Sequence, residues 1–202
     1  MKTIAILASG NGTNAENLVR AIQKRKIKAR LAFIFSNRKD AQVLSRAKRL
    51  KVPYISFEAQ DFKSREAYEK ELMKLLKKDK VDVIVLAGYM LLLGDAFIRT
   101  YKNRIINIHP SLLPAFKGTH AIRDAYDYGV RVSGVTVHFV QPALDSGPII
   151  LQKEVPMIDG EAVRNFEKRI HQMEYELYPK ALQLVLDGRC KLKGRRVIIK
   201  EK

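Results

Sequence analysis

Short apolar segments recur along the first half of the chain, each followed by a stretch with helical spacing, and this alternation restricts the fold more than any other feature. Residues 2–8, 29–35, 82–87 and 104–109 are apolar almost continuously, as strands are when helices cover both faces of a parallel sheet. Between them, residues 15–26 carry Leu18, Ala21 and Ile22 at helical spacing, and 41–50 reads as a second helix. Residues 52–57 form a short strand broken early by Pro53. Ser64 is placed to cap a third helix, whose Tyr68, Leu72, Leu75 and Leu76 share one face. Strand and helix in this order imply right-handed crossovers and an α/β fold: an open, doubly wound, mostly parallel sheet with helices on both faces.

After Pro110 the pattern changes. Residues 133–140 alternate, which predicts Val135, Val137 and Phe139 on one face and Thr136 and His138 on the other. A further strand is expected over 149–155, a long helix over 161–186 closed by Gly188, and a basic edge strand over 191–200. With no repeat or linker, residues 1–202 read as one domain, in which 1–110 form a nucleotide-binding half and 111–202 complete it.

A chain with 47% hydrophobic and 29% charged residues can bury a substantial core and is not of disordered composition. The lone Cys190 excludes an internal disulfide and a cysteine metal cage, and points to a reducing compartment. The longest apolar run, 83–93, is interrupted by Gly88 and too short to span a bilayer, and the N-terminus lacks the pattern of a signal peptide. A soluble cytoplasmic protein is therefore expected. Its formal charge of +17 would suit a polyanion, but the cations are spread along the chain, and aromatic residues make up only 8% with no Trp. That distribution reads as a solvated basic surface, with no nucleic-acid or membrane partner.

Two segments carry chemistry. Ser9-Gly10-Asn11-Gly12-Thr13-Asn14 joins the first strand to the first helix, where a glycine turn lets backbone N–H groups and the helix dipole meet a phosphate. With Ala15 it fits a relaxed G-x-G-x-x-A pattern, yet the second strand ends in Ser36-Asn37-Arg38 without the acidic residue that clamps an NAD ribose. Arg38 leaves an NADP phosphate open, and a plain strand-to-helix turn with Asn14 as cap is the simpler alternative. The second segment is Asn107-Ile108-His109-Pro110-Ser111-Leu112-Leu113-Pro114, at the end of the fifth strand, where open sheets border their ligand crevice. Asn107 and His109, two residues apart on a strand, face the same side. A carboxamide beside an imidazole can hold an oxyanion while the ring moves or stabilises a proton.

Asp145, in the loop Gln141-Pro142-Ala143-Leu144-Asp145-Ser146-Gly147-Pro148, reads equally as a turn residue or as a carboxylate folded back to orient His109. His120 and His138 could line the same cavity or be structural. The four histidines include no close pair, so no metal site is expected. G-x-S-x-G and G-x-x-x-x-G-K-[ST] are absent as well.

These two segments, together with Phe35-Ser36-Asn37, Ser64-Arg65-Glu66-Ala67-Tyr68, Leu86-Ala87-Gly88-Tyr89-Met90 and residues 144–148, resemble the folate-dependent formyltransferases. The first loop is similar to that of the phosphoribosylglycinamide formyltransferases among them, which serve purine biosynthesis. The resemblance implies a Rossmann-like formyltransferase fold and an enzyme that passes the formyl group of 10-formyltetrahydrofolate to the amine of glycinamide ribonucleotide. It further implies Asn107, His109 and Asp145 as the catalytic trio, and Gly12, Thr13, Asn14 and Glu174 as ribonucleotide contacts. Folate binding would fall to Arg65, Met90, Leu91, Leu92 and Leu93, to Asn107, and to Gln141, Pro142, Ala143, Leu144 and Asp145. Leu91 stands where the family commonly has arginine, which leaves the pterin contact there to backbone. A methionyl-tRNA formyltransferase would share residues 107–114 but carries a further domain and a different first loop, and an NADP-binding module would leave Asn107 and His109 idle. A monomer or homodimer is expected.

Overall fold

The structure, a computed structural model, describes residues 1–201. Hydrogen bonding links seven strands in the order β3-β2-β1-β4-β5-β6-β7, and a separate pair, β8-β9, lies outside that sheet. The chain divides into two compact units, residues 1–106 and the part from Asn107 onward.

In the first unit, β1 (Lys2–Leu7) is buried from Thr3 to Leu7 and pairs in parallel with β2 (Ala29–Ser36) on one side and β4 (Val83–Leu86) on the other. Its start is pinned by Asp82, which accepts from the Thr3 N–H at 2.8 Å and from Lys2 Nζ at 3.1 Å. Strand β3 (Tyr54–Ser56) extends the sheet beyond β2. Winding runs outward from β1 through β2 to β3, then restarts at β4, so the order reverses between β1 and β4. In open α/β sheets ligands bind outside the carboxyl ends of the strands at such a reversal. Helices α1 (Thr13–Gln23), α2 (Gln42–Arg49) and α3 (Arg65–Lys78) make the connections. Ser64 caps α3, its Oγ accepting from the Ala67 N–H at 3.2 Å. Asn14 is not a cap: α1 starts from Gly12, and Asn14 lies inside the first turn.

A short helix, α4 (Asp95–Thr100), leads to β5 (Ile105–His109), and α5 (Ala121–Tyr128) follows in the second unit; six or eight residues are too few for apolar periodicity to announce them. Antiparallel β6 (Val132–Phe139) and β7 (Ile149–Pro156) come next, then α6 (Val163–Leu186), which ends before Asp187 and Gly188, the glycine at φ +68°. The alternation of β6 does not separate a buried from an exposed face, since every residue from Ser133 to Phe139 is buried. Thr136 tolerates burial because its Oγ1 donates to the Ser111 carbonyl and accepts from the Leu113 N–H. The basic C-terminal segment forms a hairpin instead of an edge strand: β8 (Cys190–Lys193) and β9 (Arg196–Ile199) pair across a turn opened by Gly194 at φ +60°. A glycine at that position suits a two-residue hairpin, and its place in the sequence is a turn signal.

Candidate active site

Strand β5 brings Asn107 and His109 to one side, with His109 4% exposed. Beyond β6 the chain turns sharply. Gly147 is pressed against the Phe139 carbonyl where no Cβ would fit, and the Phe139 N–H donates to the Pro148 carbonyl at 2.9 Å. The Ser146 hydroxyl closes the turn on the Ala143 carbonyl at 2.7 Å. Asp145, at φ +46°, is thereby presented inward: Oδ2 accepts from the Gly118 N–H at 3.0 Å and lies 3.5 Å from His109 Nδ1. The other ring nitrogen of His109, Nε2, is 2.7 Å from the Phe116 carbonyl. Both ring nitrogens of His109 thus face oxygen atoms.

His138 joins this group. Its Nδ1 lies 2.9 Å from the Phe139 carbonyl, and its Nε2 lies 3.3 Å from Asn107 Nδ2 and 3.7 Å from Asp145 Oδ1. Burial pushes its pKa below the usual 6.5, against the opposing pull of the Phe139 carbonyl and Asp145, so the ring is neutral. A neutral ring that donates from Nδ1 to the carbonyl accepts at Nε2, and so takes one proton of the Asn107 amide. That bond fixes the carboxamide with its second N–H free to meet a developing negative charge. The residues alone leave His138 open between structure and function; the structure places it beside Asn107, buried because both faces of β6 are covered. His120 is exposed at the start of α5 and joins no such group. His171, on α6, bonds Glu174 through Nδ1 at 2.8 Å, and Glu174 is 4% exposed.

In the first unit the loop after β1 and the loop after β4 are stitched together. The Ser9 N–H donates to the Gly88 carbonyl at 2.9 Å, and the Ser9 hydroxyl donates to Asn37 Oδ1 at 2.6 Å and accepts from the Met90 N–H at 2.7 Å. Gly12, at φ +76°, is buried against Val43, whose Cα would lie 2.9 Å from an added Cβ. Thr13 and Asn14 occupy the first turn of α1, where the helix dipole favours an anion. Arg65 donates to the Leu92 carbonyl and lies 3.3 Å from Glu69, which also accepts from the Gly94 N–H at 2.7 Å. Residues 92–94 are therefore braced by α3, while Met90 and Leu92 stand 62% and 61% exposed, open to a flat apolar ring. In the second unit, Gln141, Pro142, Ala143 and Leu144 form the exposed arm that leads to Asp145. Among the described residues no group of three or more His, Cys, Asp or Glu side chains is placed to hold a metal, and no helix is long and apolar enough to cross a membrane.

Comparison with known proteins gives this arrangement a family. The formyl transferase family model matches residues 2–182. A phosphoribosylglycinamide formyltransferase of Bacillus subtilis is 39% identical over 92% of this chain and 95% of its own length. One from Escherichia coli is 40% identical over 94% of this chain and 89% of its own. Among solved structures, glycinamide ribonucleotide transformylase 1 from Symbiobacterium toebii superposes with a TM-score of 0.96 at 42% identity, covering all of this chain and 95% of that one. The seven-stranded α/β sheet is thus the formyltransferase fold, and the chain belongs to the formyl transferase family, among its phosphoribosylglycinamide formyltransferases.

Proposed function

We propose that the chain transfers the formyl group of 10-formyltetrahydrofolate to the amine of glycinamide ribonucleotide, as a step of purine biosynthesis, and that Asn107, His109 and Asp145 carry the transfer. The amine nitrogen attacks the formyl carbon and the carbonyl oxygen becomes an oxyanion. The bond from carbon to N10 of the folate then breaks, and the proton lost by the amine ends on N10. The products are formylglycinamide ribonucleotide and tetrahydrofolate. The free N–H of Asn107 donates to the oxyanion. His109, held between Asp145 and the Phe116 carbonyl, sets a cationic ring beside the same oxygen and takes part in moving the proton.

The ribonucleotide phosphate is assigned to the N–H groups of Gly12, Thr13 and Asn14 at the start of α1, and its ribose to Glu174. The folate is assigned to Arg65, Met90, Leu91, Leu92 and Leu93 and to residues 141–145. There the Met90 N–H and Leu92 carbonyl are already engaged by Ser9 and Arg65, which leaves the Met90 carbonyl and Leu92 N–H to a pterin edge. We place the enzyme in the cytoplasm, as a monomer or homodimer with small-molecule partners.

The observation that carries the reading is the convergence of Asp145 and His138 on His109 and Asn107. The test is direct: purified protein is given both substrates, and tetrahydrofolate and formylglycinamide ribonucleotide are measured. Equal yields, dependent on the ribonucleotide, are expected. Release of tetrahydrofolate and formate without the ribonucleotide would identify a hydrolase instead.

A further inference from the structure

Three consecutive carbonyls of the loop after β1 are tied down. That of Gly10 accepts the Val43 N–H at 3.1 Å, that of Asn11 accepts from Arg46 Nε at 2.7 Å, and that of Gly12 accepts the Glu16 N–H at 2.9 Å. In a trans peptide the N–H points opposite to the C=O. Fixing these carbonyls therefore also fixes the directions of the N–H groups of Asn11, Gly12 and Thr13. Two of the three anchors come from α2, and Arg46 is the stronger. Its guanidinium closes on Asn11 twice, through the carbonyl and through Oδ1, a forked contact that no other side chain type can make.

Arg46 is itself held. Its third nitrogen bonds Glu16 at 2.5 Å, and Glu16 also takes Arg20 and Arg49, each at 2.8 Å. Burial alone would raise the Glu16 pKa, but hydrogen bonds from Arg20 and Arg46 and the charge of Arg49 bring it down to about 2. The carboxylate anchoring Arg46 is thus charged throughout the neutral range.

We propose that Arg46 is a positioning residue for the ribonucleotide phosphate: by holding the Asn11 carbonyl it fixes the peptide that carries the Gly12 N–H, one of the groups assigned to the anion. This rests on the assignment of that loop to the phosphate. Arg46 acts from behind the loop, through Asn11, and its effect should be confined to substrates that carry the phosphate.

The experiment compares Arg46→Met with Arg49→Met, each assayed with glycinamide ribonucleotide and with its dephosphorylated riboside. Arg49 supplies the same charge to Glu16 and has no contact with Asn11 among those described. Arg46→Met should raise the ribonucleotide KM by about tenfold or more with kcat within about threefold, and leave the formyl-donor KM within about twofold. Its kcat/KM for the riboside should stay within about twofold of the parent value, and Arg49→Met should move the ribonucleotide KM by no more than about twofold. Added guanidinium ion should restore part of the ribonucleotide KM. Should Arg46→Met fail to fold, Arg46→Lys, which keeps the charge and loses the fork, carries the same comparison.

Equal losses on both substrates, or equal losses in both variants, would overturn the proposal in favour of helix packing or bulk charge. If the parent enzyme prefers the ribonucleotide and Arg46→Met keeps that preference, only the role of Arg46 fails. If the parent shows no preference for the phosphorylated substrate, the phosphate assignment fails and takes the proposal with it.

Discussion

Asp145 Oδ2 lies 3.5 Å from His109 Nδ1, and the other oxygen of the same carboxylate lies 3.7 Å from His138 Nε2, so one buried acid stands between two buried rings. The rings are not equivalent. Burial drives His138 to its neutral form, whereas His109 has oxygen acceptors at both nitrogens. The charge of Asp145 is therefore directed at His109, and its geometric hold is reinforced by the Gly118 N–H.

Asp145→Asn keeps the shape and removes the charge. It should lower kcat by roughly 100-fold, with little change in either KM, because single oxyanion-stabilising interactions are worth about 3 kcal/mol. Combined with His109→Ala, the loss should fall far short of the product of the separate losses, since the two groups act as a unit. Steady-state kinetics on the four proteins of the cycle decide. Fully independent losses would reduce Asp145 to a turn residue.

The second prediction concerns Asn107, whose amide is aimed by His138 at 3.3 Å. His138→Ala should cut kcat by about 10- to 100-fold while both KM values hold, and should add little to Asn107→Ala. A loss that multiplies with that of Asn107→Ala would mean that His138 serves another purpose.

How far the sequence exposes this arrangement differs from residue to residue. The parallel strands are legible because burial on both faces demands uninterrupted apolar runs, and Asn107 and His109 because a strand repeats every two residues. Ser64 is legible as a cap because its bond to Ala67 is local. The approach of Asp145 to His109 is not. It depends on Gly147 meeting the Phe139 carbonyl and on a positive φ at Asp145, which no periodicity encodes. His138 is obscured for another reason: alternation in β6 implies an exposed polar face, while the structure buries both and satisfies Thr136 and His138 with hydrogen bonds. Arg46 is hidden within a basic helix, and only its partners separate it from Lys48 or Arg49.

A third prediction tests the loop after β1. Gly12 has φ +76° and its added Cβ would press on the Val43 backbone at 2.9 Å. Gly12→Val should raise the ribonucleotide KM strongly, leave the formyl-donor KM nearly unchanged, and cost stability by at least about 1 kcal/mol from backbone strain. Parallel titrations with the two ligands and a denaturant curve separate these effects. Equal weakening of both ligands would show that the loop does not hold the phosphate by itself.

The last prediction is a pH dependence carried by His171. Its hydrogen bond to Glu174, first among its influences and joined by the charges of Glu174 and Glu167, raises its pKa above the usual 6.5 in spite of partial burial. The folded state therefore binds a proton more tightly than the unfolded chain. The resulting stabilisation is complete below pH about 6.5 and fades as the pH climbs through the folded-state value. The His171 side chain is 39% exposed, so water screens the pair and the contribution should be no more than about 1 kcal/mol. His171→Gln should accordingly lower the Tm relative to the parent at pH 6, and the gap should narrow as the pH rises toward 9 and the parent loses the same proton. Thermal melts of the two proteins across that range provide the check. A gap that is constant with pH would show that His171 contributes only packing and a neutral hydrogen bond.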